Sequence, residues 1–323
     1  MMGKLIGLLV VMCFGSLAYY VYAPSQPQTL PFEFSVDQGN TLTQVATQFE
    51  QGGLLDYPGL FVLFARLQGR AGKIKAGIYQ LDGAISKMAL LDMITQGNGS
   101  KNQFAIIEGW NFRQLRNVLN DNPNIRHDSL SLSDSEILQR IGAIETQPEG
   151  LFLPETYFLA VGSSDLELFK FAYKLMQKRL NEAWLTRTPD LPLATPYQAL
   201  ILASIVEKET GMAADRAMIA GVFVNRLRLH MLLQTDPTVI YGLGEKFDGD
   251  LKRRDLTTDT PYNTYTRAGL PPTPIAMPGL AAMNAALHPA TTDALYFVAR
   301  GDGSSKFSSN LAAHNRAVDR YQK

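Results

Sequence analysis

The stretch from Pro196 to Thr210 constrains the fold most, because a long apolar run there ends in two acidic residues. Successive residues of an α-helix lie about 100° apart around its axis. A helix over this stretch therefore has one continuous apolar face, which must pack against the rest of the protein. Its members are Ile201, Leu202, Ile205 and Val206.

The two glutamates of this helix are predicted to lie in different surroundings. Glu209 falls in the middle of the apolar face, whereas Glu207 projects to the opposite side, where a solvated carboxylate costs little. Burial raises the pKa of a carboxyl group, and a glutamic acid that is protonated near neutral pH can act as a general acid. Glu209 is therefore a candidate catalytic acid. The alternative is that the helix ends one turn earlier, with Gly211 as a stop signal, and that Glu209 is solvated.

Composition argues against several classes of function. Lys plus Arg and Asp plus Glu both number 30, so the basic excess of a nucleic-acid binder is missing and no nucleic-acid partner is expected. The single cysteine, Cys13, can form neither a disulfide framework nor a cysteine metal site. The 4 histidines are isolated, and no phosphate or dinucleotide fingerprint occurs. We expect no metal and no cofactor, so the chemistry must come from carboxylates, hydroxyls and amides.

An uncharged apolar run extends from Leu5 to Ala23. Crossing a bilayer core takes about 20 apolar residues, and Lys4 places the N-terminus in the cytoplasm by the positive-inside rule. The alternative is a cleaved signal peptide ending at Ala23, which Pro24 would hinder. The prediction is a transmembrane anchor over residues 1–25, with the rest of the chain outside the membrane.

The remainder predicts an α+β protein with two further domains. Residues 26–31 form a linker. A small α+β module follows over 32–103, where a strand, Gly39-Asn-Thr-Leu42 and a helix resemble a LysM-type glycan-binding module. The alternative is a spacer that holds the catalytic part away from the membrane. The larger α+β catalytic domain takes residues 104–323.

Three segments after Glu209 combine hydrogen-bonding side chains with aromatic rings and rigid prolines. They are His230–Gly242, Tyr262–Thr266 and Gly269–Gly279. Such surfaces bind sugars, since rings pack on pyranose faces and amides or hydroxyls bond to the ring substituents.

Several of these segments resemble the endolytic murein transglycosylase family (MltG or YceG-like). The matching motifs are long, and the resemblance covers the whole chain. One departure is Thr273, where the family often has glycine, which bears on loop shape rather than on the reaction. The matching segments are Ala203–Thr210, Phe223–Leu227, Leu233–Gly242, Tyr262–Thr266, Gly269–Pro272 and Asn310–Asn315.

This resemblance implies an enzyme anchored in the bacterial cytoplasmic (inner) membrane by a single span, with its catalytic domain in the periplasm. It would cut peptidoglycan glycan strands between N-acetylmuramic acid and N-acetylglucosamine without water, leaving 1,6-anhydro ends, and would end or release nascent strands. Cell-wall synthesis enzymes are the partners that the family implies.

The family's catalytic glutamate corresponds to Glu209, which the helical periodicity selects independently. By hypothesis, five further residues position the glycan, although a structural role in turns is open for each of them. They are Gln234, Thr235, Asp236, Asn263 and Tyr265.

Three alternative functions are open: a non-catalytic, membrane-anchored peptidoglycan-binding scaffold, a lyase for a small metabolite and a hydrolytic muramidase. The scaffold predicts that Glu209→Gln leaves function intact. The metabolite lyase fits poorly with an external location, and only the product's reducing end separates the muramidase from a transglycosylase.

Overall fold

A computed structural model describes residues 12, 15–16, 18–36, 39–75, 77–81, 83–96, 103–158 and 163–322. The chain forms two compact units. The first comprises residues 1–105, 123–126 and 155–164, and the second comprises 106–122, 127–154 and 165–323. The chain thus enters the first unit three times. The domain limits expected from the sequence stay a prediction.

The first unit combines α-helices with two small sheets, and side chains from its helices and strands share one hydrophobic core. The elements are β1 (Pro24–Ser25), β2 (Phe32–Val36), α1 (Leu42–Gln51), α2 (Pro58–Leu67), β3 (Gly77–Leu81), β4 (Ile85–Ser86), α3 (Lys87–Gln96), β5 (Gln103–Ala105) and β6 (Thr156–Phe158).

A four-stranded sheet organises this unit in the order β2-β3-β6-β5. The β3–β6 pair is parallel and the other two pairs are antiparallel. Tyr79 is stacked between Phe34 and Phe158, with ring centroids 5.0 and 4.5 Å away. Gly77 makes room for this stack, because a Cβ there would lie 2.4 Å from the Phe158 ring. The stack holds β6, which lies far from β3 in the sequence, against β3 in the same sheet.

Two expectations about the N-terminal part stay predictions. About half of the run from Leu5 to Ala23 lies outside the described residues, and among those described we find no helix with the length and hydropathy needed to cross a bilayer. The predicted strand, Gly39 turn and helix are present as β2 and α1, with Thr41 and Gln44 forming a capping box at the helix start. Glycan binding by this module is untested.

The second unit is mainly helical and closes with a β-hairpin, so that helices and strands together confirm the α+β class. Its elements are α4 (Phe112–Asn120), α5 (Asp134–Ile141), α6 (Asp165–Leu185), α7 (Pro196–Glu209), α8 (Ala213–Arg228), α9 (Asp236–Leu243), α10 (Arg253–Thr257), α11 (Leu280–Leu287), β7 (Tyr296–Ala299), β8 (Ser305–Ser308) and α12 (Leu311–Tyr321).

Helix α7 lies at the centre of this unit and packs against α6, α8, α9 and α11. Every residue from Ala199 to Val206 is buried, so the helix is enclosed on all sides rather than on one apolar face. The helix extends to Glu209, and the alternative in which it ends one turn earlier is wrong. Because the helix is enclosed up to Val206, its last residues, which include Glu209, lie at the edge of the hydrophobic core.

A buried hydroxyl ties α7 to the loop before α11. Ser204 Oγ donates to the carbonyl of Ile201 at 2.7 Å and accepts from the backbone N–H of Ile275 at 3.0 Å. Its side chain is fully enclosed. This pair of bonds fixes the loop over the same helix that carries Glu209.

We expect Ser204→Ala to lower the free energy of unfolding by about 1–3 kcal/mol, because the Ile275 N–H is left buried without an acceptor. Denaturant titration of the purified variant measures the change. Ser131→Ala is the matched control, since Ser131 is exposed. Equal stability of both variants would contradict the structural role of this hydroxyl.

Candidate active site

The carboxyl group of Glu209 lies at the C-terminal end of α7, where it meets the segment that precedes α9. Thr235 Oγ1 donates a hydrogen bond to Glu209 Oε1. Thr235 is itself buried, and its N–H donates to Thr264 Oγ1 at 3.1 Å. The N–H of Gln234 donates to the Thr264 carbonyl, also at 3.1 Å. Two loops far apart in the sequence therefore hold the group that contacts Glu209.

Burial raises the pKa of Glu209 to about 7. This net value includes the hydrogen bond from Thr235, which lowers the pKa, the negative charge of Asp236, which raises it, and the positive charge of Arg226, which lowers it. These opposing influences leave the carboxyl group able to exchange its proton near neutral pH. That is the requirement for a residue that serves as acid and then as base.

Glu209 opens into a cleft of about 570 Å³ in the second unit. One wall comes from the segment around Gln234, and the other comes from the β7–β8 hairpin and α12. Apolar and aromatic side chains make up much of the lining. The residues are Glu209, Arg226, Leu233, Gln234, Asp236, Tyr265, Tyr296, Phe297, Val298, Ala299, Ser305, Leu311, His314, Val318 and Gln322.

Asp236 and Tyr265 form a hydrogen-bonded pair beside Glu209. The Tyr265 hydroxyl donates to Asp236 Oδ1 at 2.5 Å, although 29 residues separate the two in the chain. Burial, followed by this bond to Asp236, raises the pKa of Tyr265, so the phenol is neutral at physiological pH. The pair presents an acceptor and an aromatic ring to the same cleft.

The predicted positioning residues separate into two groups. Gln234, Asp236 and Tyr265 line the cleft, but Thr235 and Asn263 do not. Asn263 is fully buried, and its side-chain nitrogen donates at 2.7–3.1 Å to three backbone carbonyls in and directly after α10. Its Oδ1 accepts from the Tyr265 N–H at 2.8 Å. These contacts match the structural alternative, since Asn263 shapes the loop that presents Tyr265.

Arg226 lies in the cleft, and the sequence analysis gave it no role. Its buried guanidinium donates to the carbonyls of Leu295 at 2.7 Å and Leu233 at 2.9 Å, and to Gln234 Oε1 at 3.3 Å. The sequence holds a signal for this, because helical spacing places Arg226 between Val222 and Phe223 on an apolar face, where arginine is rare. Arg226 joins the hairpin to the Gln234 segment and places a positive charge near Glu209.

His314 is a second cleft residue without an assigned role. Its ring stacks on Tyr296 at 5.2 Å, and the guanidinium of Arg226 lies 5.1 Å from the same tyrosine ring. Burial and the charge of Arg226 lower the pKa of His314. A neutral imidazole therefore faces the cleft at physiological pH.

The expectation that Glu207 is solvated is wrong. Only 7% of its side chain is exposed, Oε2 accepts from the N–H of Gly279 at 3.0 Å, and Arg216 Nη2 lies 4.0 Å from Oε1. Burial also raises its pKa. The two glutamates differ in partners rather than in exposure, because Glu207 is bonded to the backbone whereas Glu209 opens into the cleft.

The fold and the site define an α+β protein with one carboxyl group at the end of an enclosed helix, facing a cleft. The family model of the YceG-like family matches residues 34–320. This chain belongs to the YceG-like family.

Two curated relatives are named endolytic murein transglycosylase. The one from Bacillus subtilis is 30% identical over 306 residues, which cover 89% of this chain and 84% of the relative. The one from Streptococcus pneumoniae serotype 2 is 27% identical over 317 residues, which cover 88% of this chain and 57% of that longer protein. A crystal structure of a yceG-like protein from Listeria monocytogenes matches with a TM-score of 0.55 and 28% identity, covering 88% of this chain and 98% of that one.

We expect Asp236→Asn to lower the pKa of Glu209 below about 7, because the neighbouring negative charge is removed. Titration of the side-chain carboxyl carbons by NMR measures it, with Glu209→Gln identifying the signal. Glu149 is an internal control, since burial raises its pKa to about 7 without a contribution from Asp236. An unchanged or higher Glu209 pKa would show that Asp236 does not act on it.

Proposed function

We propose that this protein is a peptidoglycan lytic transglycosylase in which Glu209 alone serves as acid and base. The observation that carries the proposal is the position of the Glu209 carboxyl group, at the end of an enclosed helix and open to the cleft. The family and the names of the relatives support the reaction class. The product with a 1,6-anhydro-N-acetylmuramic acid end is part of the proposal.

In the first step, protonated Glu209 gives its proton to the oxygen between N-acetylmuramic acid and N-acetylglucosamine. The C1–O bond breaks, and its electron pair stays on the leaving N-acetylglucosamine oxygen. The carbonyl oxygen of the substrate's own acetamido group bonds to C1 and takes up the positive charge. This participation replaces the second carboxylate that glycosidases commonly use.

In the second step, ionised Glu209 removes the proton from the C6 hydroxyl of the same sugar. The C6 oxygen bonds to C1, the bond from the acetamido oxygen breaks, and Glu209 is protonated again. Arg226 favours the ionised form and Asp236 favours the protonated form, so neither state is trapped. No water molecule reacts in either step.

The residues that line the cleft position the substrate for these two reaction steps. Asp236 is held by Tyr265 through one oxygen, and we assign its other oxygen to the acetamido N–H of the muramic acid. Tyr265 lines the cleft and offers a ring for a sugar face. Thr235 orients the carboxyl group of Glu209. Gln234 is exposed beside Arg226, where its amide can bond to sugar hydroxyls.

The proposal includes the location expected from the sequence. The apolar run from Leu5 to Ala23 anchors the chain in the cytoplasmic membrane by one span, and the catalytic unit faces the periplasm. The LysM-like module over residues 32–103 then binds glycan. This arrangement suits an enzyme that acts on strands as they leave the membrane.

We expect Glu209→Gln to lower the rate of strand cleavage by about 10²–10⁴-fold, because no group remains to protonate the leaving oxygen. Soluble muropeptides released from purified peptidoglycan are quantified over time. Glu207→Gln is the matched control, because it makes the same change on the same helix and its amide oxygen can still accept from Gly279. We expect this control to keep its activity.

Full cleavage by Glu209→Gln would favour a non-catalytic role for this carboxyl group. Absence of cleavage by the wild type, with glycan binding intact, would favour the membrane-anchored scaffold.

A further inference from the structure

A second cavity of about 710 Å³ lies in the second unit, between α12 and the β7–β8 hairpin. Three exposed basic side chains line it, and we call it the basic cavity. Lys306 comes from β8, and Arg316 and Arg320 lie one turn apart on α12. Its remaining lining residues are Met218, Thr292, Asp293, Ala294, Phe307, Ser308, Ser309, Ala313, Ala317 and Tyr321.

The charges of this cavity are unbalanced. Within the described part of the chain, Lys306, Arg316 and Arg320 line the cavity, whereas Asp293 is the single acidic residue of its lining. This local excess is notable in a chain with a formal net charge of zero. Like charges brought together repel one another, and a surface of one sign attracts ligands of the other sign. The cavity is therefore suited to an anion.

Helix α12 connects the basic cavity to the catalytic cleft. His314 and Val318 line the cleft, whereas Ala317 and Arg320 line the basic cavity. The two spaces thus lie on different faces of one helix, whose diameter with side chains is about 10–12 Å. Half the circumference of such a helix is about 16–19 Å, and an extended peptide covers up to about 3.3–3.6 Å per residue, so about five residues reach around the helix. A substituent carried by a glycan in the cleft can enter the basic cavity.

We propose that the basic cavity binds the carboxylates of the peptides attached to murein strands, an inference that rests on the proposed function. Arginine guanidinium groups bind carboxylates through two parallel hydrogen bonds. Arg316 and Arg320 supply two such groups on adjacent turns, and Lys306 adds a third charge from the hairpin. The site would select strands that carry anionic peptides over strands whose peptides are neutral.

Binding measurements test this without requiring turnover. The full chain with Glu209→Gln is titrated into fluorescent murein fragments of two disaccharide units, whose peptide carboxylates are either free or converted to primary amides. We expect the free-carboxylate fragment to bind about tenfold more tightly. Adding Arg316→Gln and Arg320→Gln should remove that preference and leave the affinity for the amidated fragment unchanged. Adding Arg253→Gln, at an exposed arginine outside the cavity, should leave both affinities unchanged.

Equal binding of the two fragments by the Glu209→Gln protein would overturn the proposal. So would an equal loss of affinity for both fragments in the double arginine variant. Cleavage by the wild type is followed separately with the same fragments. A retained carboxylate preference without any cleavage would contradict the proposed reaction and leave the binding site in place, so the two failures are distinguishable.

Discussion

The enclosure of helix α7 is the constraint on which the rest of the site depends. Its residues from Ala199 to Val206 are buried on every side, so the last turn of the helix lies at the edge of the core. Glu209 is the last residue of the helix, and the pKa of its carboxyl group is raised to about 7 because burial removes water. A helix covered on one face alone would leave this group free to turn into solvent.

The loops around Glu209 set how its proton is shared. Thr235 bonds to the carboxyl group, Asp236 disfavours its ionisation and Arg226 favours it. Each of the three is held in turn: Thr235 by Thr264, Asp236 by the Tyr265 hydroxyl, and Arg226 by backbone carbonyls of the hairpin and the Gln234 segment. The pKa of the Glu209 carboxyl group therefore depends on several segments that are far apart in the sequence.

Helical periodicity predicted α7 and placed Glu209 in line with its apolar residues, because apolar spacing is a local property, but it left open whether the helix ends at Glu209 or one turn earlier. It failed for Glu207, since the backbone at Gly279 covers the opposite face and only the folded chain shows this. The side chain of Asn263 bonds to backbone carbonyls in and directly after α10, and no spacing rule reveals these contacts. The one-turn spacing of Arg316 and Arg320 is visible in the sequence, but Lys306 joins them only through the hairpin.

The central claim is that Glu209 directs the substrate's own hydroxyl, rather than water, to the anomeric carbon. Mass spectrometry of strand ends released by the purified protein, in water enriched in the heavy oxygen isotope, tests this most directly. The account predicts ends lighter than a reducing sugar by one water molecule, with no heavy isotope incorporated. Reducing ends that carry the heavy isotope would contradict it and would identify a hydrolase built on the same cleft.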